Sequence, residues 1–192
     1  MREETEFRPK PMVEIGGKPV LWHIMKLYSY FGFTDFVVCT GYKGHVIKDF
    51  FHNYSQHTRD FTTKLGDGGG VEFHGKNGES DWSVTVADTG PTTATAGRLL
   101  RVRKYLDDAA FMCTYGDGLA PVDISALLRT HQQRLPVATM TVTRQRSRFG
   151  VASVDPTGIV RSFAEKPLSN DLVNIGYFVF EPEIFNFLEN DL

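Results

Sequence analysis

Three short stretches carry residue types that handle phosphate. In the first, Thr114-Tyr115-Gly116-Asp117-Gly118, the apolar run 109–114 ends at a carboxylate flanked by two glycines. An apolar run of that length, free of Gly and Pro, reads as a buried strand. In open α/β sheets ligands collect beyond the carboxyl ends of strands. An Asp there can hold a divalent ion, and its glycines let a phosphate approach the backbone. The same residues also describe a plain turn closing a strand, so both readings stand on this motif alone. In the second stretch, Pro9 and Pro11 bracket Lys10. Proline restricts its own backbone and that of the preceding residue, so the lysine is either a rigidly presented charge for a phosphate or part of a solvated basic loop. In the third, Glu165-Lys166-Pro167 follows a hairpin, where a carboxylate and a cation could grip a sugar hydroxyl and a phosphate or simply pair with each other at the surface.

A fourth segment, 88–98, is small and polar and runs into a helix. Its hydroxyls, Thr93 among them, and its free N–H groups suit a phosphate or a base, and Arg98 adds a planar donor fork. An N-cap with an ordinary helix arginine is the simpler alternative. Asn174-Ile175-Gly176 opens a further strand with an amide and a glycine.

Elements at helical and strand spacing must position these loops. Leu21, Ile24, Met25, Tyr28 and Phe31 recur at helical intervals after Pro19, and Gly32 stops that helix. His23 reads as a helix-surface or packing histidine, not a ligand. Residues 36–40 read as a buried strand, 46–54 as a helix, 71–74 and 82–86 as strands, 99–106 as a helix and 137–142 as a strand. Asp123 caps a helix through Gln133. Gly66 to Gly70 reads as a mobile hairpin tip or a loop. Asp155-Pro156-Thr157-Gly158 is a turn joining two strands. Residues 1–7 read as loose, and Pro182 starts a last helix that runs to Leu192.

Composition narrows the class. A chain of 192 residues holds one domain with a real core, and its 15 Phe supply it. A net charge of -2 leaves no basic footprint for nucleic acid and no polybasic membrane patch. Cys39 and Cys113 each sit in an apolar run, which suits reduced thiols of a cytoplasmic protein. No apolar stretch is long enough to span a membrane.

Lys10-Pro11-Met12 before Gly16-Gly17-Lys18-Pro19, then Tyr115-Gly116-Asp117-Gly118, Glu165-Lys166-Pro167 and Asn174-Ile175-Gly176 stand in the order of the sugar-1-phosphate nucleotidylyltransferases. The chain resembles that family over nearly its whole length. The wording of 12–25, of Val38 to Gly44, and of Asp88-Thr89-Gly90 running on to Gly97-Arg98-Leu99 is similar to its glucose-1-phosphate cytidylyltransferase branch. The resemblance implies an α/β fold with a Rossmann-like, mixed and mostly parallel sheet, flanking helices and a β-hairpin insertion. It implies that CTP and glucose 1-phosphate give CDP-glucose and pyrophosphate. By carry-over, Lys10 neutralises the triphosphate and Asp117 holds Mg²⁺. Thr93, Arg98 and Gly116 lie along the nucleotide. Glu165, Lys166, Asn174 and Gly176 take the sugar phosphate, with Lys10, Asp117 and Lys166 as the catalytic set. The family's multimers imply a homo-oligomer.

Two departures accompany the resemblance. The family's Gly-rich loop stands about ten to fifteen residues before the position of Lys10, whereas Met1 lies nine residues before it here. A later family Asp falls past Leu192. The expectation is a single nucleotidyltransferase domain over 1–192, incomplete at both ends, with strand edges beside the missing first strand left unpaired and with weak turnover by itself. A non-catalytic nucleotide-sugar-binding homologue is the alternative from another class, and uridylyl or thymidylyl transfer the alternative within the family. A glycosyltransferase is disfavoured because no Asp-x-Asp occurs.

Overall fold

The computed structural model describes residues 7–189. A 3-10 turn at Lys10–Met12 leads into a two-residue ribbon, β1 (Glu14–Ile15) and β2 (Lys18–Pro19), which folds back into helix α1 (Val20–Tyr30). Next come β3 (Asp35–Thr40), α2 (Gly44–His52), α3 (Tyr54–Thr58), the hairpin β4 (Phe61–Thr63) and β5 (Val71–Phe73), and β6 (Ser83–Asp88). The second half carries α4 (Thr95–Val102), β7 (Phe111–Thr114), α5 (Ile124–Arg134), β8 (Ala138–Arg146), the hairpin β9 (Val151–Val154) and β10 (Val160–Ala164), and β11 (Leu168–Phe180). The helix expected from Pro182 to Leu192 is instead a 3-10 helix, Pro182–Asn186. Phe185 packs on Phe111, ring centroids 5.7 Å apart, and the 3-10 helix ends one residue later, at Asn186. Residues 1–6 and 190–192, on which the expectations for the two termini partly fell, lie outside the described residues.

Helix α1 ties the fold together because its apolar residues form two stripes. Val20, Ile24 and Tyr28, four apart, pack with Ile124 and Tyr177, and with Met112 and Ile175. Leu21 and Met25, one position on, pack with Met12 and Ile47 against Val38, Val84 and Val86. The first stripe faces the antiparallel sheet β7-β11-β8, and the second faces the parallel pair β3-β6. Phe36 touches both clusters. Each side chain of this kind stabilises the fold by roughly 1.5–3 kcal/mol when fully buried. Parallel pairing among the described residues is confined to β3 and β6. Among the described residues β3 has a ladder partner on one side only, β6, and β7 likewise has only β11.

The β9–β10 hairpin is fixed by its turn. Asp155 Oδ1 accepts from Thr157 Oγ1 (2.6 Å), Thr157 N (2.9 Å) and Ile159 N (3.1 Å), and Arg161 Nε donates to Oδ2 (2.8 Å). The Thr157 hydroxyl first, then the Ile159 amide and the Arg161 guanidinium, hold this carboxyl below the ordinary range. A depressed carboxylate contributes stability that is present above the unfolded value of about 3.9 and lost as pH falls through the folded one. The hairpin is therefore expected to keep its order from neutral pH down to about pH 5 and to lose it in stronger acid. The amide shifts of Thr157 and Ile159, followed by NMR, read this directly. Loosening on raising the pH would contradict it.

Candidate functional site

The stretches singled out in the sequence fall into three places. The first is the carboxyl end of β7. The Gly116–Asp117 turn follows β7 after one residue, Tyr115, and Pro11 lies against it: a Cβ on Gly116 would stand 3.2 Å from Pro11 Cγ and 3.5 Å from Pro11 Cβ. Lys10 and Asp117, each the neighbour of one of these touching residues, are thereby brought to the same edge of the sheet. Both are exposed, and neither side chain has a hydrogen bond or ion pair among the described residues. Asn174 and Gly176 reach the turn from β11. Asn174 Nδ2 donates to Tyr115 Oη (3.1 Å), and Tyr115 N donates to Gly176 O (3.0 Å). Tyr177 secures the far side of the loop, since its hydroxyl donates to Gly118 O (3.0 Å) and accepts from Ala120 N (3.2 Å).

The second place is the carboxyl end of the parallel pair. Arg98 Nη1 donates to Thr40 O (3.1 Å) and to Thr89 Oγ1 (2.6 Å), and Thr89 Oγ1 donates to Thr40 O (2.8 Å). Arg101 Nη1 donates to Thr89 O and to Thr93 Oγ1 (2.6 Å). Thr40 and Thr89 are fully buried. The two arginines thus clamp the strand ends, and Thr93 is engaged with Arg101. Gly41 makes this possible. A Cβ there would meet Gly90 O at 2.6 Å and the Arg98 guanidinium nitrogens at 2.7 Å. Gly41→Ala is therefore expected to destabilise the protein by about 2–3 kcal/mol, read as a lower urea midpoint at unchanged slope. The two places adjoin through their thiols. Burial first, and the nearby Cys39 second, push Cys113 up to about 12. Burial likewise raises Cys39, against the pull of Arg98.

The third place is the hairpin end. Lys166 takes a left-handed backbone (φ 45°) and stands 3.8 Å from Glu165, both side chains well exposed. Its carbonyl accepts from Arg146 Nη1, and Ser147 N donates to Pro167 O. Up to about 25 Å of extended chain separates Lys166 from Asn174 at ~3.3 Å per residue, with ladder irregularities between Leu168 and Leu172 and again after Asn174. No hydrogen bond or ion pair among the described residues joins Glu165 or Lys166 to the Asp117 turn. Sequence reasoning gave no separate role to Tyr115 or Pro11, the residues whose contacts assemble the first place. The aromatic ring directly before Gly-Asp-Gly was the available signal. His23, read as a helix-surface or packing residue, shares a hydrogen bond with Ile15 O (2.8 Å).

Beside this geometry, the comparisons with known proteins are specific. The sequence model of the family described as Nucleotidyl transferase matches residues 4–192. The chain belongs to the nucleotidyl transferase family. It is 48% identical over 193 residues to the glucose-1-phosphate cytidylyltransferase of Salmonella typhi, covering 100% of this chain and 74% of that protein. It is 40% identical over 191 residues to a probable glucose-1-phosphate cytidylyltransferase of Bacillus subtilis, with the same coverage. Among solved structures, HddC from Yersinia pseudotuberculosis superposes with a TM-score of 0.63 at 18% identity, covering 95% of this chain and 71% of that one. That likeness shows that the two share an α/β fold.

A divalent metal fits this nucleotidyl transferase only in one form. No group of three His, Cys, Asp or Glu side chains capable of holding a metal occurs among the described residues. Asp117 is exposed, and its carboxylate has no partner among the described residues. Magnesium is commonly held by one or two carboxylates together with substrate phosphates, so this donor set suits it. No helix among the described residues is long and apolar enough to cross a membrane.

Proposed function

We propose that this chain transfers the cytidylyl group of CTP to glucose 1-phosphate, giving CDP-glucose and pyrophosphate. The observation that carries the reading is the 48% identity to a glucose-1-phosphate cytidylyltransferase along the whole chain. The packing of Pro11 on Gly116 supports it by bringing Lys10 and Asp117 to one sheet edge.

An oxygen of the sugar phosphate forms the new bond to the α-phosphorus. The bond from that phosphorus to the α–β bridging oxygen breaks, and its electron pair leaves on pyrophosphate. Such a displacement needs alignment and charge neutralisation more than covalent help. Lys10, fixed between two prolines, offsets the negative charge of the triphosphate. Asp117 would hold Mg²⁺, which when bound supplies further neutralisation among the phosphates. The segment from Thr93 to Arg98 borders the nucleotide, and Gly116 leaves room for it. Gly176 borders the sugar, and Glu165 and Lys166 are assigned to its hydroxyls and phosphate. Residues 1–192 act as one unit in this reading, because α1 packs on both sheets, and self-association belongs to the same proposal.

Two measurements test it together. Pyrophosphate release is assayed with glucose 1-phosphate, Mg²⁺ and each of CTP, UTP, dTTP and GTP in turn. Calorimetry compares CDP-glucose with UDP-glucose. The expected result is release fastest with CTP and CDP-glucose bound at least about tenfold tighter, a difference of about 1.4 kcal/mol. Equal or reversed preference in both would overturn the base assignment. Tight CDP-glucose binding without release from any nucleotide would point to a binding protein instead.

A further inference from the structure

A hollow of about 440 Å³ opens between Phe51 of α2, Tyr54 of α3 and the residues that lead into β6. That volume is in the range of small-molecule sites, about 300–1,000 Å³. It shares no residue with the three places described above. Trp82, in its wall, stands just before β6, whereas Thr89, held by Arg98, stands just past the carboxyl end, about 23 Å of strand away. Glu79, whose side chain is 11% exposed, accepts from Tyr54 Oη (2.9 Å) and Lys26 Nζ (3.1 Å). Arg59 donates to His74 O (3.4 Å) and Gly75 O (2.6 Å) and has no ion pair among the described residues. Asn77 and Ser55 also line the hollow. Both are half-buried, and neither side chain has a hydrogen bond among the described residues. Buried polar groups are as a rule satisfied, so an open amide and an open hydroxyl in one hollow call for a partner from outside the chain.

We propose that this hollow binds a neutral saccharide. The inference does not rest on the cytidylyl-transfer reading. The polar groups are of both kinds: Glu79 accepts, Arg59 donates, and Asn77 and Ser55 do both. A fully ionised phosphate brings acceptors only and would be set against the Glu79 carboxylate. An ammonium brings donors only and would be set against Arg59. Sugar hydroxyls donate and accept at once. Phe51, Trp82 and Val84 offer apolar surface to the C–H side of a pyranose. A nucleobase asks instead for an open ring face. The Trp82 ring already has Lys26 Nζ at 5.8 Å, Phe36 at 5.4 Å and Trp22 at 6.2 Å, and the Tyr54 ring has Lys18 Nζ at 5.3 Å and Phe50 at 5.5 Å. A saccharide therefore fits the hollow better than a base does.

The two tryptophans of the chain provide the readout. Trp22 Nε1 donates to Tyr54 Oη (3.0 Å), whereas Trp82 Nε1 has no hydrogen-bond partner among the described residues. Nitrogen–proton NMR of the full chain therefore shows two indole signals, and the one absent from Trp82→Phe belongs to Trp82. Glucose, maltose, inorganic phosphate and cytidine are titrated in separately. The expected result is a saturable movement of the Trp82 signal with glucose or maltose, with Kd on the order of 1 mM as for a ligand this small. Phosphate and cytidine at the same concentrations should leave the signal in place. Asn77→Ala and Ser55→Ala are each expected to weaken the sugar about three- to tenfold, the loss of one hydrogen bond, at an unchanged urea midpoint. No movement with either sugar at about tenfold above that Kd would overturn the proposal. So would an equal or larger response to phosphate or cytidine, or an undiminished sugar response in both variants.

Discussion

Asp117→Asn is expected to lower pyrophosphate release from CTP by about 10²–10³-fold, the range seen when one group that stabilises developing charge is removed. The side chain keeps its shape and loses its charge. Because Asp117 is exposed and has no hydrogen bond or ion pair among the described residues, no part of the fold depends on that charge. The unfolding free energy should therefore move by no more than about 0.5 kcal/mol, as for an ordinary surface change. Rate loss with stability unchanged is what separates a carboxylate that works on phosphates from a turn residue. The two are measured on the same preparation, by coupled phosphate release and by urea unfolding. Near-normal turnover would return Asp117 to the role of a strand-closing turn and would remove the magnesium assignment with it.

The second large effect falls on stability. His131 lies on α5 with 1% of its side chain exposed. Its Nδ1 is 2.8 Å from Thr139 Oγ1 on β8, and its Nε2 is 3.0 Å from Glu181 Oε1 just past β11. One imidazole thus joins the helix to both neighbouring strands. His131→Ala removes the ring and leaves the hydroxyl and the carboxylate without it. The void and the two orphaned groups together are expected to cost about 3–5 kcal/mol. Glutamine, which retains an amide for one partner, should cost about half as much. Urea unfolding followed by circular dichroism reads both variants. Turnover per folded molecule should stay close to that of the unmodified chain, because neither hydrogen-bond partner of His131 belongs to the Asp117 turn.

The contrast between these two residues marks where sequence reading works. Asp117 was visible because a carboxylate between glycines at a strand end is a local pattern. The Asp123 cap, which accepts from Ala126 N at 2.8 Å, and the Asp155 turn were visible for the same reason. Each is decided by neighbours within a few residues. The α1 face was equally plain, since Leu21, Ile24, Met25 and Tyr28 repeat at helical spacing and all four are buried. Strand β4 was missed because Phe61–Thr63 is three exposed residues whose pairing with β5 gives no alternation of its own. The His131 network was missed because its partners stand 8 and 50 residues away. Arg98 was read toward a nucleotide because its type and position at a helix start allow that. Its hydrogen bond to Thr40 O, 58 residues distant, lies beyond any local pattern.

The amino-acid order by itself determined which chemical groups this protein possesses and that Lys10, Asp117, Glu165 and Lys166 lie between elements, whereas Asn174, read as opening a strand, stands inside β11. It also determined that the helix after Pro19 must be buried on one side, since periodicity and turn preference are properties of neighbouring residues. The tertiary structure alone decided which of those loops meet. Helix α1 carries two apolar stripes, and by packing one on each sheet it sets where β3 and β7 lie. That placement accompanies Pro11 resting on Gly116 and Tyr115 joined to Asn174, while Glu165 and Lys166 stay at the far end of β11. Contacts between residues this far apart in the chain arise from the burial of apolar surface summed over the whole core, and no local spacing encodes that sum.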